Sequence, residues 1–462
     1  MKKIISYCDK IINSSKASFV TKAISFFYIV KIHPEFVKKY KKKIFIDISF
    51  FKKIIKNLSF FLFYIILFKF FSKKKKKINA RVLIISHLIK EKIEKKDLYF
   101  GNLEFFLKKK KILYVKLLIN HTKKYYINGN ITKKTIVLQK YLPFLDEVKI
   151  FLLKLKQIII LLKIKEINKN NLFFKSIYSL FDNQTTFALR MFFNTIYYLK
   201  NSKIEFLIFT FEGYGWERLC MYAAKLVNPK IKCIGYQHTF VTNGHISIKR
   251  IINGNYNPDI IWTSDSRSHN ILKKIYKKIN AKVVNIGYLK EISKPTEHKR
   301  ISYKKTCLVL PEGIMSECLK ILKFCLICAE NDKTISYIIR LHPVIDQNKL
   351  LLELNINEKD LPKNIYFSSD SNLIEILSKV SFVLYRGSSS VLHAVNRKIC
   401  LIYLDIHKYN IDPLSLYNIK KFSVKKPNEL IKIISSSKKK DFKFINSVSN
   451  ININNIYKTF ET

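Results

Sequence analysis

The sequence predicts an α/β protein made of two doubly wound, Rossmann-like domains that face a cleft, with an N-terminal helical extension and a helical insertion in the first domain. Three observations carry this. Glycine is scarce, ten in 462 residues, where average usage would give roughly 32. Seven of the ten (Gly101, Gly213, Gly215, Gly235, Gly287, Gly313 and Gly387) follow apolar, β-branched runs or sit in the loop just after one. Those runs alternate with segments long enough for crossover helices, the pattern of a parallel sheet. Finally, polar side chains gather beside the same glycines, which places a binding site along the strand exits.

Residues 1–77 form a Lys/Phe/Ile-rich extension expected to be helical. The first domain, 78–291, opens with the strand-like run Arg81 to Ser86 and a polar exit through His87, followed by loop, helix and a second strand that exits at Asn120-His121. From Phe144 to Leu162 apolar residues recur every three or four positions, which predicts a helix. Helix continues to about Leu199 past an Asn/Lys-rich break near 168–171, so 144–199 is an insertion that suits an acceptor or a membrane. Strands follow over Ile204 to Phe209, Lys232 to Gly235, Ile260 to Thr263 and Lys282 to Ile286, with a helix over Asp265 to Lys278. The polar stretch 292–303, with Pro295, reads as a linker. The second domain, 304–435, alternates strands at 307–310, 336–341, 365–368, 382–385 and 399–404 with helices at 316–330, 372–379 and 388–396. Residues 436–462 read as a tail.

The net charge of +52 raises the question of nucleic acid, since basic surface is its electrostatic footprint. The lysines are spread over nearly every segment, only nine of the 85 basic residues are arginine, and no zinc-finger, RNP-type or helix-turn-helix pattern occurs. The expectation is therefore no nucleic acid, with the charge serving phosphorylated substrates or an anionic membrane surface. Eight cysteines show neither disulfide-type spacing nor a paired CxxC zinc pattern, which fits buried thiols in a reducing cytoplasm. No uninterrupted apolar core with a cleavage site follows the basic N-terminus. Residues 58–71 are apolar but only 14 long, contain Lys69 and run into Lys73 to Lys77. A spanning helix needs about 20 apolar residues, so 51–77 is either an interfacial segment on the inner face of the membrane or a helix packed on the first domain.

Candidate chemistry concentrates in five places. In YRGSSSVLHAV a strand ends at Tyr385, Arg386 and Gly387 make the turn, and Ser388, Ser389 and Ser390 open a helix, an arrangement that offers N–H groups and hydroxyls to phosphate. In RLHPV, Arg340, His342 and Pro343 stand at a strand exit one β-α unit earlier. In LPEGI, Glu312 precedes Gly313, and a carboxylate there can act as general base, hydrogen-bond a ribose or cap the next helix. In TFEGYGWERL, Glu212 follows its strand directly, then Gly213, Trp216, Glu217 and Arg218. In IGYQHTF, Gln237 and His238 leave the next strand. Arginine is rare here, so Arg218, Arg340 and Arg386 suggest a bidentate fork for phosphate or carboxylate.

Taken in order, DLYFG, TFEGYGWERL, IGYQH, NPD (Asn257 to Asp259), LPEG, RLHP and YRGSSS resemble the bacterial surface carbohydrate biosynthesis proteins, glycosyltransferases of the two-Rossmann-domain GT-B type, over about residues 80–405. The pairing of EG with HP is also similar to bacterial sialyl- and polysialyltransferases, in which the acid is the base and the His-Pro loop holds the CMP of the donor. The serine loop resembles the donor-phosphate loop of those enzymes and of CDP-glycerol transferases. The resemblance implies a cytoplasmic, inverting transferase with a nucleotide-sugar donor, CMP-sugar favoured, a glycan or lipid-linked acceptor, and no cofactor beyond the donor. No aspartate-x-aspartate pair is present, so no metal is implied. Pro311 stands where the EG motif has a second acid, which leaves Glu312 and Glu212 both as candidate base. Glu312 is preferred because it and His342 are expected on neighbouring strands. A CDP-polyol phosphotransferase and a non-catalytic basic protein are the alternatives.

Overall fold

A computed structural model of the chain describes residues 2–29, 33, 37, 78–89, 96–122, 134–200, 202–242, 244–289, 305–368, 373–395, 397, 399–406, 410–417, 419–436 and 451–461. Two all-parallel sheets organise them. The first has seven strands, β1 (Val82–Leu88), β2 (Tyr114–Asn120), β3 (Thr135–Val137), β4 (Phe206–Thr210), β5 (Lys232–Gln237), β6 (Ile260–Thr263) and β7 (Lys282–Asn285), in the order β3-β2-β1-β4-β5-β6-β7. The second has six, β8 (Thr306–Pro311), β9 (Ser336–Ile339), β10 (Ile365–Phe367), β11 (Phe382–Arg386), β12 (Cys400–Leu404) and β13 (Phe422–Val424), in the order β10-β9-β8-β11-β12-β13. Both orders reverse direction once, between β1 and β4 and between β8 and β11. The crevice at such a switch point is where open α/β sheets take ligands. Central strands are buried along their whole length, as β4 (FLIFT) and β11 (FVLYR) show, because helices cover both faces of a parallel sheet.

Helices α1 (Lys2–Ile12), α2 (Leu103–Lys109), α3 (Phe144–Leu162), α4 (Leu172–Leu180), α5 (Asn183–Leu199), α6 (Gly215–Val227) and α7 (Ser266–Tyr276) belong to the first unit. The N-terminal extension is built into it: Cys8, Ile11, Ile12 and Phe27 are buried in one core with Leu207, Leu219 and Ile252. Arg250 Nη1 donates to the Phe27 carbonyl at 2.6 Å. The expected membrane contact of 51–77 and the linker at 292–303 lie outside the described residues.

The second unit adds α8 (Met315–Asn331), α9 (Gln347–Leu354), α10 (Leu373–Lys379), α11 (Leu392–Val395) and α12 (Pro427–Ser436). The stretch expected as a tail carries α13 (Ile453–Phe460), which returns to the first sheet. Ile456 and Phe460 are buried against Phe206 and Trp262, Thr459 Oγ1 accepts from Trp262 Nε1 at 3.1 Å, and Arg81 Nη2 donates to the Phe460 carbonyl at 3.0 Å. No helix among the described residues is long and apolar enough to cross a membrane. All eight thiols are reduced and buried.

The strand exits of the first sheet meet loops of the second. Tyr417, in the segment after β12, donates to Asp265 Oδ1 beyond β6 at 2.8 Å, and its ring lies 4.5 Å from that of Phe240 beyond β5. Tyr288 beyond β7 faces His393 on α11, ring centroids 6.2 Å apart.

Candidate active site

In the second sheet the switch-point loops are LPEG after β8 and RGSSS after β11. They are held together by an isolated bridge between Pro311 and Gly387. Gly387 has φ +70°, and a Cβ there would stand 2.6 Å from Glu312 Cδ, so the glycine is what lets the Glu312 carboxylate lie against this turn. His33 Nε2 and Glu312 Oε1 are 2.7 Å apart, and both side chains are buried. Gly313 is pressed by His342 in the same way: a Cβ on it would meet Nδ1 at 2.9 Å. The loops after β8 and β9, neighbouring strands, therefore bring Glu312 and His342 side by side. Desolvation and the Arg340 cation lower the His342 pKa, with Glu312 pulling the other way.

Helix α8 starts immediately behind Glu312-Gly313, with Ile314 at its N-cap and no side-chain cap. The first-turn Ser316 hydroxyl is shielded from solvent and has no hydrogen-bond partner. An uncapped helix start offers N–H donors and a positive dipole end to an anion. The serine loop departs from expectation at this point. The helix predicted over 388–396 is a 3-10 turn at Ser389–Val391 followed by the four-residue α11, too short to add much dipole. Ser388 is buried, Ser390 half-buried and Ser389 exposed, so what this loop offers is hydroxyls.

Arg386, read from the sequence as a phosphate ligand, is engaged by the protein through Nε and Nη1, while Nη2 is buried without a partner among the described residues. It is buried, with Nε donating to Glu317 Oε2 at 2.6 Å and Nη1 to the Leu404 carbonyl at 2.8 Å and the Tyr403 hydroxyl at 3.3 Å. A guanidinium so engaged ties β11 to α8 and β12. His33, Glu312 and Glu317 bring three possible ligand atoms within 4.8 Å of one another. Lys320 Nζ at 2.6 Å and Arg386 already occupy the Glu317 carboxylate. Burial would raise the Glu317 carboxyl, but the hydrogen bonds from Lys320 and Arg386 prevail and hold it below its ordinary value. Two cations at one carboxylate make this an ion-pair network that does not suit a metal ion.

The switch point of the first sheet is lined by His87, His121 and Tyr99, which are not among the sequence-predicted site residues, and by Trp216, which is. His87 Nδ1 lies 2.8 Å from His121 Nε2, and His87 Nε2 lies 3.1 Å from Thr210 Oγ1. Burial, with His121 beside it, pushes the His87 imidazole down to about 3, so the ring is neutral near pH 7. Tyr99 and Trp216 stand against it at 4.9 and 5.6 Å between centroids. Asp97 shapes the loop that carries Tyr99, accepting from Ser86 Oγ at 2.8 Å and from the Tyr99 and Phe100 N–H groups at 2.8 and 3.0 Å. The signal for His87 and His121 was their position at two strand ends. Nothing in the basic stretch around His33 marked it.

Glu212 follows β4. Its side chain keeps 23% of its surface exposed, while that of Glu312 keeps 5%. Thr239 Oγ1 donates to Glu212 Oε1 at 3.2 Å, and His238 Nε2 is 3.7 Å from the same oxygen. Of the other first-domain candidates, Glu217, Arg218 and Gly213 are structural. Glu217 accepts from the Glu212, Gly213 and Tyr214 N–H groups at 3.0, 2.6 and 2.8 Å, which shapes the loop that presents Glu212. Arg218 is fully buried and donates to the carbonyls of Tyr256, Ser247 and Arg250 at 3.1, 3.1 and 2.7 Å, with Asn257 Oδ1 at 3.0 Å. Its two terminal nitrogens thus tie α6 to the loop between β5 and β6, while Nε is buried without a partner among the described residues. Gln237 is buried, its Oε1 accepting from Ser264 N at 3.4 Å and its Nε2 without a hydrogen-bond partner among the described residues. Gly213 packs against the Ser247 backbone, so it seats the loop.

No family model and no curated protein matches this chain. Among solved structures it is similar to UDP-GlcNAc 2-epimerase from Methanocaldococcus jannaschii, at 12% identity and TM-score 0.49, covering 82% of this chain and 99% of that one. UDP-GlcNAc 2-epimerase from Neisseria meningitidis gives 14%, 0.46, 82% and 98%. The glycosyltransferase of kitacinnamycin gives 12%, 0.44, 78% and 92%. At this level the likeness fixes neither an activity nor a substrate.

Proposed function

We propose that this chain is a GT-B-type glycosyltransferase that moves a sugar from a nucleotide-activated donor, a CMP-sugar in preference, to a surface polysaccharide or lipid-linked glycan at the cytoplasmic face of the membrane. The observation that carries this reading is that each sheet's switch point is furnished with a carboxylate and a histidine: Glu312 and His342 in the second, Glu212 and His238 in the first. The donor occupies the second domain. Its phosphates meet the uncapped start of α8 and the hydroxyls of Ser389 and Ser390, with Arg340 and His342 as further donors at the β9 exit.

Of the two carboxylates, Glu212 is the better base, reversing the preference drawn from the motifs alone. It is open to an acceptor, whereas Glu312 is sealed by His33 and Gly387. In the transfer the acceptor hydroxyl oxygen attacks the anomeric carbon and its proton passes to Glu212. The anomeric carbon–phosphate oxygen bond breaks, and the nucleotide leaves with the electron pair. Inversion at the anomeric carbon follows from the single displacement, and no metal is needed if α8 and the cationic side chains balance the leaving charge.

Titration calorimetry with CMP, CDP and UDP tests the donor side. One nucleotide should bind, and His342→Ala and Ser389→Ala should weaken it by about tenfold each, the loss of one charge-assisted contact. Unchanged affinity for every nucleotide in both variants would put the donor site elsewhere. Salt-sensitive DNA binding without nucleotide binding would favour a basic binding protein instead.

A further inference from the structure

Helix α3 buries a mixed polar and apolar face and exposes an apolar stripe. Its inner face carries Glu147, Ile150, Lys154, Gln157 and Leu161, all buried, with the two apolar side chains in the core of the first unit. Glu147 takes Arg190 Nε at 2.7 Å, Lys154 Nζ donates to Thr186 Oγ1 at 2.5 Å, and Gln157 Nε2 donates to Thr21 Oγ1 at 2.8 Å. Its outer face carries Leu145, Leu152, Leu155, Ile159 and Leu162, between 42% and 68% exposed. The apolar residues of this helix are thus divided, Ile150 and Leu161 in the core and these five at the surface.

The charge on that outer face is one-sided. Lys149, Lys156 and Lys163 are exposed and recur every seven residues, close to two turns, so they line one edge of the apolar stripe. The only acids of the helix are Asp146, which pairs with Lys149 at 3.3 Å, and the buried Glu147. An apolar stripe with a lysine edge is what a helix lying in the plane of an anionic bilayer presents: side chains enter the acyl boundary, and the lysine stems snorkel to the phosphates.

We propose that α3 is the membrane-docking surface of this protein, lying flat on a bilayer that contains anionic lipid. This rests on the reading of the chain as a transferase with a membrane-bound acceptor, and it assigns the contact to an element other than 51–77. The net charge of +52 adds long-range attraction to the same surface.

The test is flotation of the full chain with phosphatidylcholine vesicles, with and without 40% phosphatidylglycerol, at low and high salt. The wild type should float only with the anionic vesicles and be released in part by salt. Leu152→Ser/Ile159→Ser/Leu162→Ser should lower partitioning about 100-fold, several-fold for each half-exposed apolar side chain, and melt like the wild type because all three are exposed. Leu352→Ser, on the second domain and 74% exposed, should change nothing. The proposal is overturned if the triple variant floats like the wild type, since another segment then holds the membrane or the stripe is covered by the chain itself. It is overturned equally if the wild type does not float, and a wild-type dimer that the triple variant converts to monomer would identify the stripe as a self-interface. Nucleotide titration on the same samples separates the two readings. Nucleotide binding without flotation leaves the transferase standing and removes the docking surface; flotation without nucleotide binding does the reverse.

Discussion

Replacing Gly387 with alanine tests the arrangement of the second switch point directly. Two costs arise. At φ +70° a side chain in left-handed backbone costs about 1–2 kcal/mol. The added Cβ would also lie 2.6, 2.7 and 2.8 Å from Glu312 Cδ, Oε2 and Oε1, so the buried carboxylate must move away from His33. Losing a hydrogen bond to a charged group costs about 1.5–3 kcal/mol, which brings the total to about 2.5–5 kcal/mol. Gly254→Ala is the control: its φ is +85°, but the nearest atoms to its Cβ are in the Tyr256 ring at 3.5 Å, so only the backbone term applies. By calorimetry the second-domain transition should fall by about 10 °C or more in Gly387→Ala, and that of the first domain by about 4 °C in Gly254→Ala. Because the clash acts through the His33–Glu312 contact, His33→Ala and Gly387→Ala should be strongly non-additive. If Gly387→Ala melts no lower than the control and His33→Ala adds its full cost on top, Glu312 does not sit where this reasoning puts it.

Glu212→Gln should lower turnover of a nucleotide-sugar at least about 100-fold with nucleotide affinity retained; Glu312→Gln should reduce it less, and the opposite ranking in steady-state assays would return the base to Glu312. Arg218→Ala should destabilise the first domain by about 3–5 kcal/mol in urea titrations, as breaking a buried charged network does, with nucleotide affinity intact in the folded fraction. A fully stable variant with lost nucleotide binding would make Arg218 a ligand after all. Burial, with Arg190 nearby, lowers Lys154 from 10.5 to about 7. The unfolded chain then binds the extra proton between about pH 7 and 10, so wild-type stability rises with pH across that window. The stability excess of Lys154→Met over wild type should therefore shrink by about 1.4 kcal/mol per pH unit there, read from urea midpoints at pH 7, 8 and 9. A constant difference means that the ammonium keeps its charge in the folded state.

What local pattern determines, the sequence alone disclosed. Strands such as 260–263 and helices such as 144–162 lie where apolar runs and three-to-four spacing put them, because backbone geometry sets those periods. Glycines, free of Cβ, marked the turns where loops press closest, Gly313 against His342 and Gly387 against Glu312. Tertiary structure decided what each polar residue does there. Arg218 and Arg386 are of the type that binds phosphate, yet the carbonyls and carboxylate that claim them are 18 to 69 residues distant in the chain. The α3 pattern revealed an apolar stripe but not whether protein would cover it, since that depends on the polar partners Thr21, Thr186 and Arg190 and on the core around Ile150 and Leu161, which together claim its other face. His33 meets Glu312 across 279 positions, and Phe460 returns to Arg81 across 379. Contacts of that span leave no periodic trace, because their free energy depends on where packing delivers two distant segments and not on how either one coils.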